Sequence, residues 1–335
     1  MQPAYKRAAR IIGVPIYVFV IGEVILRVLS SFVLFFNVEM VDYAAKLLSE
    51  SPVPNVTHRQ TPNASARIMG VDLRLNSLGH RSIELLPVKP EGEYRIHFIG
   101  SSITLGWGVP VDDSFAEITA ARLTGERRNG DSATFVAINA GTADYNTVYS
   151  VRTFKSQAPR TDPDLVVVQY NLNDARPDPQ GGASPILRYS FFAAFLYQEI
   201  KSLGFLAGRS LAETYADVYR EDQSNWERTQ EALRDLKQFA DARGIAVVAI
   251  LIPELHDLTP DTAFAPIYGA VERRFADIGI PLINPFPELA DAFGGDVAAA
   301  MVATGDPHPS AAAHRIIAEK LFAFLTSRPD LTRLD

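Results

Sequence analysis

The amino-acid sequence predicts an α/β fold, a doubly wound sheet of five parallel strands with a transmembrane helix before it. Three features indicate this. From residue 94 onward, five short apolar segments alternate with longer segments of helical period. The short segments are almost continuously apolar, as strands covered by helices on both faces are. One much longer apolar run lies near the start of the chain.

Composition excludes several classes of protein. The chain of 335 residues has a formal net charge of -7 and no long run of Lys or Arg, so we expect no nucleic-acid partner. It has no cysteine, which excludes a disulfide framework, a thiolate metal site and a cysteine nucleophile. Its six histidines include no His-x-x-x-His pair of the zinc-hydrolase kind, and we therefore expect no metal and no cofactor.

The first element is the apolar run at residues 11–36. As one helix it would be ~39 Å long at ~1.5 Å per residue, which exceeds the ~30 Å core of a bilayer. Lys6, Arg7 and Arg10 precede it, and no comparable cluster follows. The sequence thus predicts a cytoplasmic segment at 1–10, a single-pass anchor in the inner membrane, and the rest of the chain on the periplasmic side. The alternative is a cleaved signal peptide, which would have a shorter apolar core and a small-residue cleavage site.

Two charges interrupt this run. Glu23 and Arg27 are one helical turn apart, in the order that favours an ion pair. Charged side chains within a membrane helix face each other or a partner. Two interpretations stay open, a self-contained pair or a docking face for another membrane protein or a second copy of this chain.

Residues 37–92 are predicted to be a linker and docking segment. Within them, residues 50–66 are rich in Pro, Asn, Ser and Thr and lack an apolar period, which is typical of a linker. The next stretch, IMGVDLRLNSLGHRS, alternates apolar and polar residues before a turn. It predicts a short strand that leads into a domain at 93–335.

This domain alternates strands and helices. The predicted strands are 94–100, 134–140, 164–170, 245–252 and 281–284. The predicted helices are 112–124, 145–157, 223–243, 264–278 and 310–326. Ligands of doubly wound sheets bind beyond the carboxyl ends of the strands, so we expect the functional site immediately after the strands.

An apolar, aromatic segment at residues 186–207 interrupts the alternation. The simplest interpretation is a helix packed on the core. A lid over the site, or a surface helix that dips into a membrane, are the alternatives.

The residues after the strands suit acyl-ester chemistry. In the small-residue turn GSSITLGWG, Ser102 can project its hydroxyl, although such a turn also suits a bound phosphate. Gly141 after the second strand and Asn173 after the third offer a backbone and a side-chain N–H, the donors of which oxyanion holes are built. Asp306 and His308, before the last helix, fit an oriented general base.

These residues resemble the four blocks of the SGNH (GDSL-like) hydrolase superfamily. FIGSSITLGWG is similar to the first block, NAGTADYNT to the second, NLND to the third and GDPHPSAAAH to the fourth, in the right order over residues 94–326. The resemblance implies the SGNH hydrolase fold, a flavodoxin-like form of the doubly wound sheet.

The resemblance also implies a role for each residue. Ser102 would be the nucleophile, His308 its base and Asp306 the acid that orients the imidazole. The oxyanion hole would consist of the N–H groups of Ser102 and Gly141 and the side chain of Asn173.

Three departures from the family pattern affect these roles. Ser101 stands where the family usually has Asp, and Asn171 stands where the third block usually has Gly. Asp306 precedes His308 by two residues, whereas three is the commoner spacing. Asp257, beyond the fourth strand, is therefore an alternative candidate for the acid.

A serine esterase that works through an acyl-enzyme is the implied activity, or an acyltransferase if a sugar hydroxyl replaces water as acceptor. The stretch LRLNSLGHRS and the anchor resemble a subgroup linked to exported polysaccharides, which implies O-acetyl esters of a glycan as substrates. Two alternatives stay open, a lipase or lysophospholipase-type acyl hydrolase and an inactive scaffold within a membrane export assembly.

Overall fold

A computed structural model of the chain describes residues 4–30, 32–33, 35–125, 134–179, 189–206 and 208–332. The helices are α1 Ala4–Leu29, α2 Phe36–Leu47, α3 Ser102–Leu105, α4 Phe115–Gly125, α5 Thr147–Thr161, α6 Phe191–Leu206, α7 Leu211–Val218, α8 Ser224–Asp241, α9 Ala265–Ile278, α10 Phe286–Phe293, α11 Ala311–Thr326 and α12 Pro329–Thr332. The strands are β1 Leu48–Glu50, β2 His58–Gln60, β3 Ser65–Ile68, β4 Val71–Arg74, β5 Glu93–Ile99, β6 Thr134–Asn139, β7 Leu165–Tyr170, β8 Ala246–Leu251, β9 Leu282–Ile283, β10 Met301–Ala303 and β11 Asp306–Pro309. Short 3₁₀ turns lie at Val111–Asp113, Leu172–Ala175 and Val297–Ala300.

The centre of the fold is a parallel sheet of five strands. Their spatial order is β6-β5-β7-β8-β9, and every neighbouring pair is parallel. Numbered along the chain, this is the order 2-1-3-4-5 of a flavodoxin-like doubly wound sheet. The predicted α/β fold and its five strands are confirmed, and each strand ends within one residue of its predicted bounds.

Helices cover both faces of this sheet. Side chains of α4 and α11 pack with one face of the strands, through residues such as Phe115 and Leu321. Side chains of α5, α8 and α9 pack with the other, through residues such as Phe154, Leu233 and Val271. The strands are buried on both sides, which explains why β7 and β8 are almost continuously apolar. β5 is an exception, because it carries Arg95 and His97, and both side chains are buried.

The apolar run at residues 11–36 is not one helix. α1 ends at Leu29, where the Ser30 hydroxyl donates to the carbonyl of Arg27 at 3.0 Å, and α2 begins at Phe36. A serine that bonds to the backbone in this way competes with helix continuation. Among the described residues, no helix combines the length and the apolar character needed to cross a membrane. The transmembrane anchor predicted at 11–36 is therefore not found.

The two charges of α1 bind the start of α6. Arg27 Nε lies 2.7 Å from Glu23 Oε1, so the i,i+4 pair is formed. Glu23 Oε2 also accepts hydrogen bonds from the Ser190 hydroxyl at 2.8 Å and from the N–H of Phe192 at 3.0 Å. A carboxylate at a helix N-terminus satisfies N–H groups that the helix leaves unpaired. Of the segment predicted at 186–207, residues 186–188 and 207 lie outside the described part of the chain.

The stretch at 50–66, interpreted as linker, is only partly so. It contains β2 and the start of β3, and Val56, His58 and Gln60 within it are buried. Gln60 Nε2 donates to the carbonyl of Gly141 at 3.0 Å. A stretch whose polar side chains bond to a distant loop resembles a linker in the sequence, because composition does not show the partners of those side chains.

Candidate active site

The first part of the site is the turn after β5. A Cβ on Gly100 would lie 2.4 Å from Thr104 Oγ1, so this turn requires glycine. Ser101 caps α3, because its hydroxyl accepts a hydrogen bond from the N–H of Ile103 at 3.4 Å. Ser102 is the first residue of α3, and the cap therefore fixes the backbone from which its hydroxyl projects.

Three side chains form a continuous hydrogen-bonded chain at this turn. Ser102 Oγ lies 2.7 Å from His308 Nε2. His308 Nδ1 lies 2.5 Å from Asp306 Oδ1, which also accepts the N–H of His308 at 3.2 Å. The Asp306 side chain is 2% exposed and the His308 side chain 12%, so the chain runs from a buried carboxylate to a hydroxyl near the surface. This arrangement can activate the serine as a nucleophile.

β11 explains the unusual spacing of the acid and the base. Asp306 and His308 both belong to this strand, which pairs with β10 in a short antiparallel hairpin. Side chains two residues apart in a strand lie on the same face, so the carboxylate lies behind the imidazole. Asp257, the alternative acid, instead accepts a hydrogen bond from the Thr259 hydroxyl at 2.5 Å.

Aromatic side chains enclose the imidazole and the carboxylate. The rings of Trp107 and Phe36 are each centred 5.6 Å from the His308 ring. Trp107 Nε1 donates to Asp306 Oδ2 at 2.9 Å, so both carboxylate oxygens have partners. The indole of Trp107 is 1% exposed, and burial strengthens such a bond to an ionised group.

Gly141 lies directly against α3. A Cβ at this position would be 2.2 Å from the N of Leu105 and 2.6 Å from Thr104 Cβ, a space that only glycine fits. Its own N–H donates to Asn139 Oδ1 at 3.2 Å. To hold an oxyanion, this N–H must exchange that bond for one to the substrate, and its role stays a prediction.

Asn173 lies in the 3₁₀ turn after β7, and its side chain is exposed. The buried hydroxyl of Tyr215, in α7, donates to Asn173 Oδ1 at 2.7 Å. Asn171 Oδ1 accepts the N–H of Asn173 at 2.8 Å. With Oδ1 held in this way, the amide nitrogen is the end of the side chain left for a ligand, as an oxyanion donor requires.

Two of the three departures from the family pattern, Ser101 and Asn171, contact each other. Asn171 Nδ2 donates to the Ser101 hydroxyl at 3.4 Å. Gln169 Oε1 accepts from the N–H and the hydroxyl of Ser101, both at 3.0 Å, and from the Thr104 hydroxyl at 3.2 Å. Neutral side chains from β7 and the loop after it thus support the nucleophile turn.

Sequence reasoning missed several residues that hold the site. Besides Trp107 and Tyr215, the buried guanidinium of Arg81 donates to the carbonyls of Leu105, Gly106 and Val109, each at 2.9 Å. It therefore clamps the loop that follows α3. Arginine is ordinarily a surface residue, so Arg81 gave no signal in the sequence. Trp107 did give a signal, because it lies inside the first block and a buried indole N–H requires an acceptor.

The site lies within a segment that matches a known protein family. The model of the GDSL-like lipase/acylhydrolase family matches residues 98–316. No protein of curated description matches the chain.

Several solved structures are similar in part. TesA is 18% identical, with a TM-score of 0.43 over 70% of this chain and 98% of that one. A lipase/acylhydrolase from Enterococcus faecalis is 14% identical, with a TM-score of 0.42 over 70% and 96% of the two chains. A catalytic mutant of an acetylxylan esterase from Geobacillus stearothermophilus is 14% identical, with a TM-score of 0.42 over 71% and 95%.

Proposed function

Since the chain belongs to the GDSL-like lipase/acylhydrolase family and is a serine ester hydrolase, we propose that it cleaves O-acyl esters, above all O-acetyl esters, of an exported carbohydrate. The observation that carries the catalytic part is the distance of 2.7 Å between Ser102 Oγ and His308 Nε2, with Asp306 behind the imidazole.

In the proposed cycle, Ser102 Oγ bonds to the ester carbonyl carbon while its proton passes to His308 Nε2. The N–H groups of Ser102 and Gly141 and the amide of Asn173 hold the oxyanion, and Asp306 stabilises the imidazolium. The carbon–oxygen bond to the alcohol then breaks, and the alcohol leaves with the proton from His308. Water, activated by the same imidazole, releases the acid and restores the serine; a sugar hydroxyl in place of water gives acyl transfer.

Support for a glycan ester comes from the motif LRLNSLGHRS. This stretch resembles enzymes linked to exported polysaccharides, and its Arg81 binds the loop after α3. The exposed apolar side chains of α1 and α6 favour a second candidate, an acyl hydrolase for lipid esters.

Release of acid from matched substrates tests the choice between these candidates. The purified chain is incubated with an acetylated glycan, with a phospholipid and with a series of nitrophenyl esters from acetyl to palmitoyl. We expect acetate release from the glycan and the fastest turnover with the acetyl ester. Preference for the long-chain esters together with no acetate release would reject the glycan and favour the lipid.

Covalent labelling tests whether the site is catalytic at all. A fluorophosphonate should label the wild type but not Ser102→Ala, while Ser327→Ala, at an exposed serine, should label normally. His308→Ala should abolish nearly all turnover, with His256→Ala as its exposed control, and Asn173→Ala should add ~2.7 to 4 kcal/mol to the barrier. Equal labelling of wild type and Ser102→Ala contradicts the assignment, and no labelling of the wild type would indicate an inactive scaffold.

We also propose that the catalytic domain lies on the periplasmic side of the inner membrane. The resemblance of LRLNSLGHRS to enzymes linked to exported polysaccharides supports this side, because an exported glycan is reached there. Protease added to intact spheroplasts should cleave the domain, and full protection would reverse this orientation.

A further inference from the structure

α1 exposes large apolar side chains on every side of its axis. The consecutive residues 16–21 are all exposed, from 37% at Ile21 to 67% at Tyr17. Six consecutive positions extend over more than one full turn of an α-helix, so these side chains point in all directions. Val24, Ile25, Val28 and Leu29 continue the apolar surface to the end of the helix, with exposures of 42% to 55%.

α6 covers only a narrow strip of this surface. The Phe192 ring packs against Gly22, where a Cβ would approach it to 2.6 Å, and it meets Phe19 edge-on at 5.5 Å. Arg27 donates to the carbonyl of Tyr189 at 2.7 Å, and its guanidinium lies 4.5 Å from the centre of the Phe191 ring. The strip that is covered thus contains the polar contacts of α1, and the apolar remainder faces outward.

The outer side of α6 continues this apolar surface. Tyr189, immediately before the helix, is 64% exposed, and Leu196, Tyr197 and Ile200 within it are 40%, 48% and 68% exposed. The two helices therefore form one unit. Glu23 and Arg27 lie in the contact between them, and large apolar side chains are exposed away from this contact. We call this unit, residues 13–29 of α1 with 189–200, the α1–α6 pair.

A surface of this shape suits lipid better than protein. A protein partner covers one face of a helix, whereas a helix that is apolar all round needs surroundings that enclose it. Three basic residues, Lys6, Arg7 and Arg10, come shortly before the apolar part of α1 in the sequence, as in segments that bind anionic headgroups. We propose that the α1–α6 pair is a lipid-binding surface by which the chain attaches to a membrane.

The lipid-binding surface is linked to His308 through the start of α2. α2 follows α1 and begins with Phe36, whose ring is 5.6 Å from that of His308. The next residue, Asn37, donates to Glu199 Oε1 of α6 at 3.5 Å. The site therefore lies where the chain meets the lipid, so its substrate is an ester presented at a lipid surface, such as an acylated glycan on a lipid carrier. This last step rests on the proposed esterase function; the lipid attachment does not.

Vesicle flotation tests the attachment. The detergent-purified full chain is mixed with vesicles of neutral phospholipid, or of neutral and anionic phospholipid, and centrifuged. The triple variant Val18→Asp, Val24→Asp, Val28→Asp changes three side chains of α1 that are 53% to 55% exposed. Its matched control, Ile83→Asp, Leu86→Asp, Val88→Asp, changes three that are 61% to 81% exposed and lie outside the pair.

The wild type and the control should float, more strongly with anionic lipid, and the α1 variant should lose about tenfold in bound fraction at an unchanged urea midpoint. Equal flotation of the α1 variant overturns the proposal. A wild type that stays out of the vesicle fraction as a stable dimer also overturns it and assigns the surface to a second copy of the chain.

Turnover separates this proposal from the esterase assignment. Ser102→Ala should float like the wild type. The α1 variant should cleave a short-chain ester embedded in vesicles about tenfold more slowly than the wild type, with equal turnover of a water-soluble ester. Normal flotation without turnover of either ester would reject the esterase function alone. Normal turnover of the embedded ester by the α1 variant would reject the placement of the site at the lipid.

Discussion

The carboxylate of Asp306 is shared between two ring N–H groups, one on each oxygen. His308 Nδ1 bonds to Oδ1, and Trp107 Nε1 donates to Oδ2 at 2.9 Å. The tryptophan touches neither the nucleophile nor the base through this bond. It positions the acid, which in turn holds the imidazole in the orientation that the serine needs.

Trp107→Phe should separate this positioning role from packing, because phenylalanine keeps an aromatic ring but lacks the N–H. A hydrogen bond to a charged group contributes ~1.5 to 3 kcal/mol, so we expect kcat to fall ~10-fold to 100-fold. KM should change little, since the indole bonds to the acid rather than to the substrate. Steady-state kinetics of this variant beside Trp226→Phe, at a buried tryptophan that packs with α5, α8 and α9, provide the measurement. A large rise in KM with unchanged kcat would contradict the positioning role.

Asp174 gives the protein a pH-dependent stability. Burial raises the pKa of this carboxyl from 3.8 to about 7, although the N–H of Asn171 and the hydroxyl of Thr147 donate to it. The folded state therefore favours the protonated acid more than the unfolded state does. Below the unfolded pKa both states are protonated, and Asp174 does not change the free energy of unfolding. As the pH rises above that value, the unfolded state ionises first, so the free energy of unfolding falls until the pH has passed the folded pKa of about 7.

Asp174→Asn should remove this pH dependence, because the amide does not ionise. We expect the urea midpoint of the wild type to fall between pH 5 and pH 8 by more than that of the variant. Asp72→Asn, at a side chain that is 61% exposed, is the control and should behave like the wild type. A variant whose midpoint falls as steeply as that of the wild type would rule out Asp174 as the cause.

Motif spacing located the residues of the site, but not the ones that hold them. Ser102, His308 and Asp306 were identified from the order of four blocks, and the structure brings all three into hydrogen-bond contact. Trp107 and Tyr215 were missed because their partners lie far away in the chain. A hydrogen bond across such a separation depends on the tertiary fold, which periodicity does not encode.

At the scale of elements, the close contact between Gly141 and α3 decides where the Ser102 hydroxyl lies. The loop after β6 carries no side chain at this point, and the backbone of α3 fills the space. The N–H of Thr142, the next residue, donates to the carbonyl of Gly100 at 3.1 Å. Two strand-end loops are thus joined directly through their backbones.

Gly141→Ala should therefore displace α3 and with it the serine hydroxyl. The added methyl would lie 2.2 Å from a backbone nitrogen, and overpacking of this kind costs ~1 to 3 kcal/mol. We expect a lower urea midpoint and a loss of most esterase turnover. Gly125→Ala, where no atom of the described residues lies within 4 Å of the new Cβ, should leave both unchanged and serves as the control. Full activity of Gly141→Ala would show that the contact does not set the position of the serine.

Elements with a strong period were predicted well, and elements fixed by local polar bonds were not. The strands of the central sheet were found because short, mostly apolar runs between turn residues are typical of strands covered on both faces. The break between α1 and α2 was missed because Ser30 is compatible with a helix in the sequence and competes with the helix only through a bond to the carbonyl of Arg27. The β10–β11 hairpin was missed because Asp, Pro and His rarely form strands.

In the whole molecule, the N-terminal segment, defined as residues 36–74 from α2 to β4, shares one core with the turn that carries Ser102. Tyr43 and Leu47 of α2 and Leu73 of β4 pack in the same cluster as Leu105 and Trp107. Removal of a side chain from this cluster therefore affects the segment and this turn together, and we expect the chain to unfold as one cooperative unit.

Leu47→Ala tests this expectation, since Leu47 is fully buried and its truncation should cost ~2 to 5 kcal/mol. In a Trp226→Phe background, fluorescence reports on Trp107 and far-ultraviolet circular dichroism on the sheet and helices. Both transitions should move to lower urea concentration by the same amount. A shift of the fluorescence transition alone would show that the N-terminal segment unfolds separately.

Because Asp306 and His308 belong to one strand of a hairpin, the number of residues between them determines whether their side chains meet. Because neighbouring side chains of a strand point to opposite sides, inserting or deleting a single residue between the two would turn the carboxylate to the reverse side of the ribbon. An acid on a loop could adjust its position after such a change, but the position of an acid on a paired strand is fixed by the register of the strand. Length variants of this short ribbon should therefore be selected against more strictly than substitutions that keep its register.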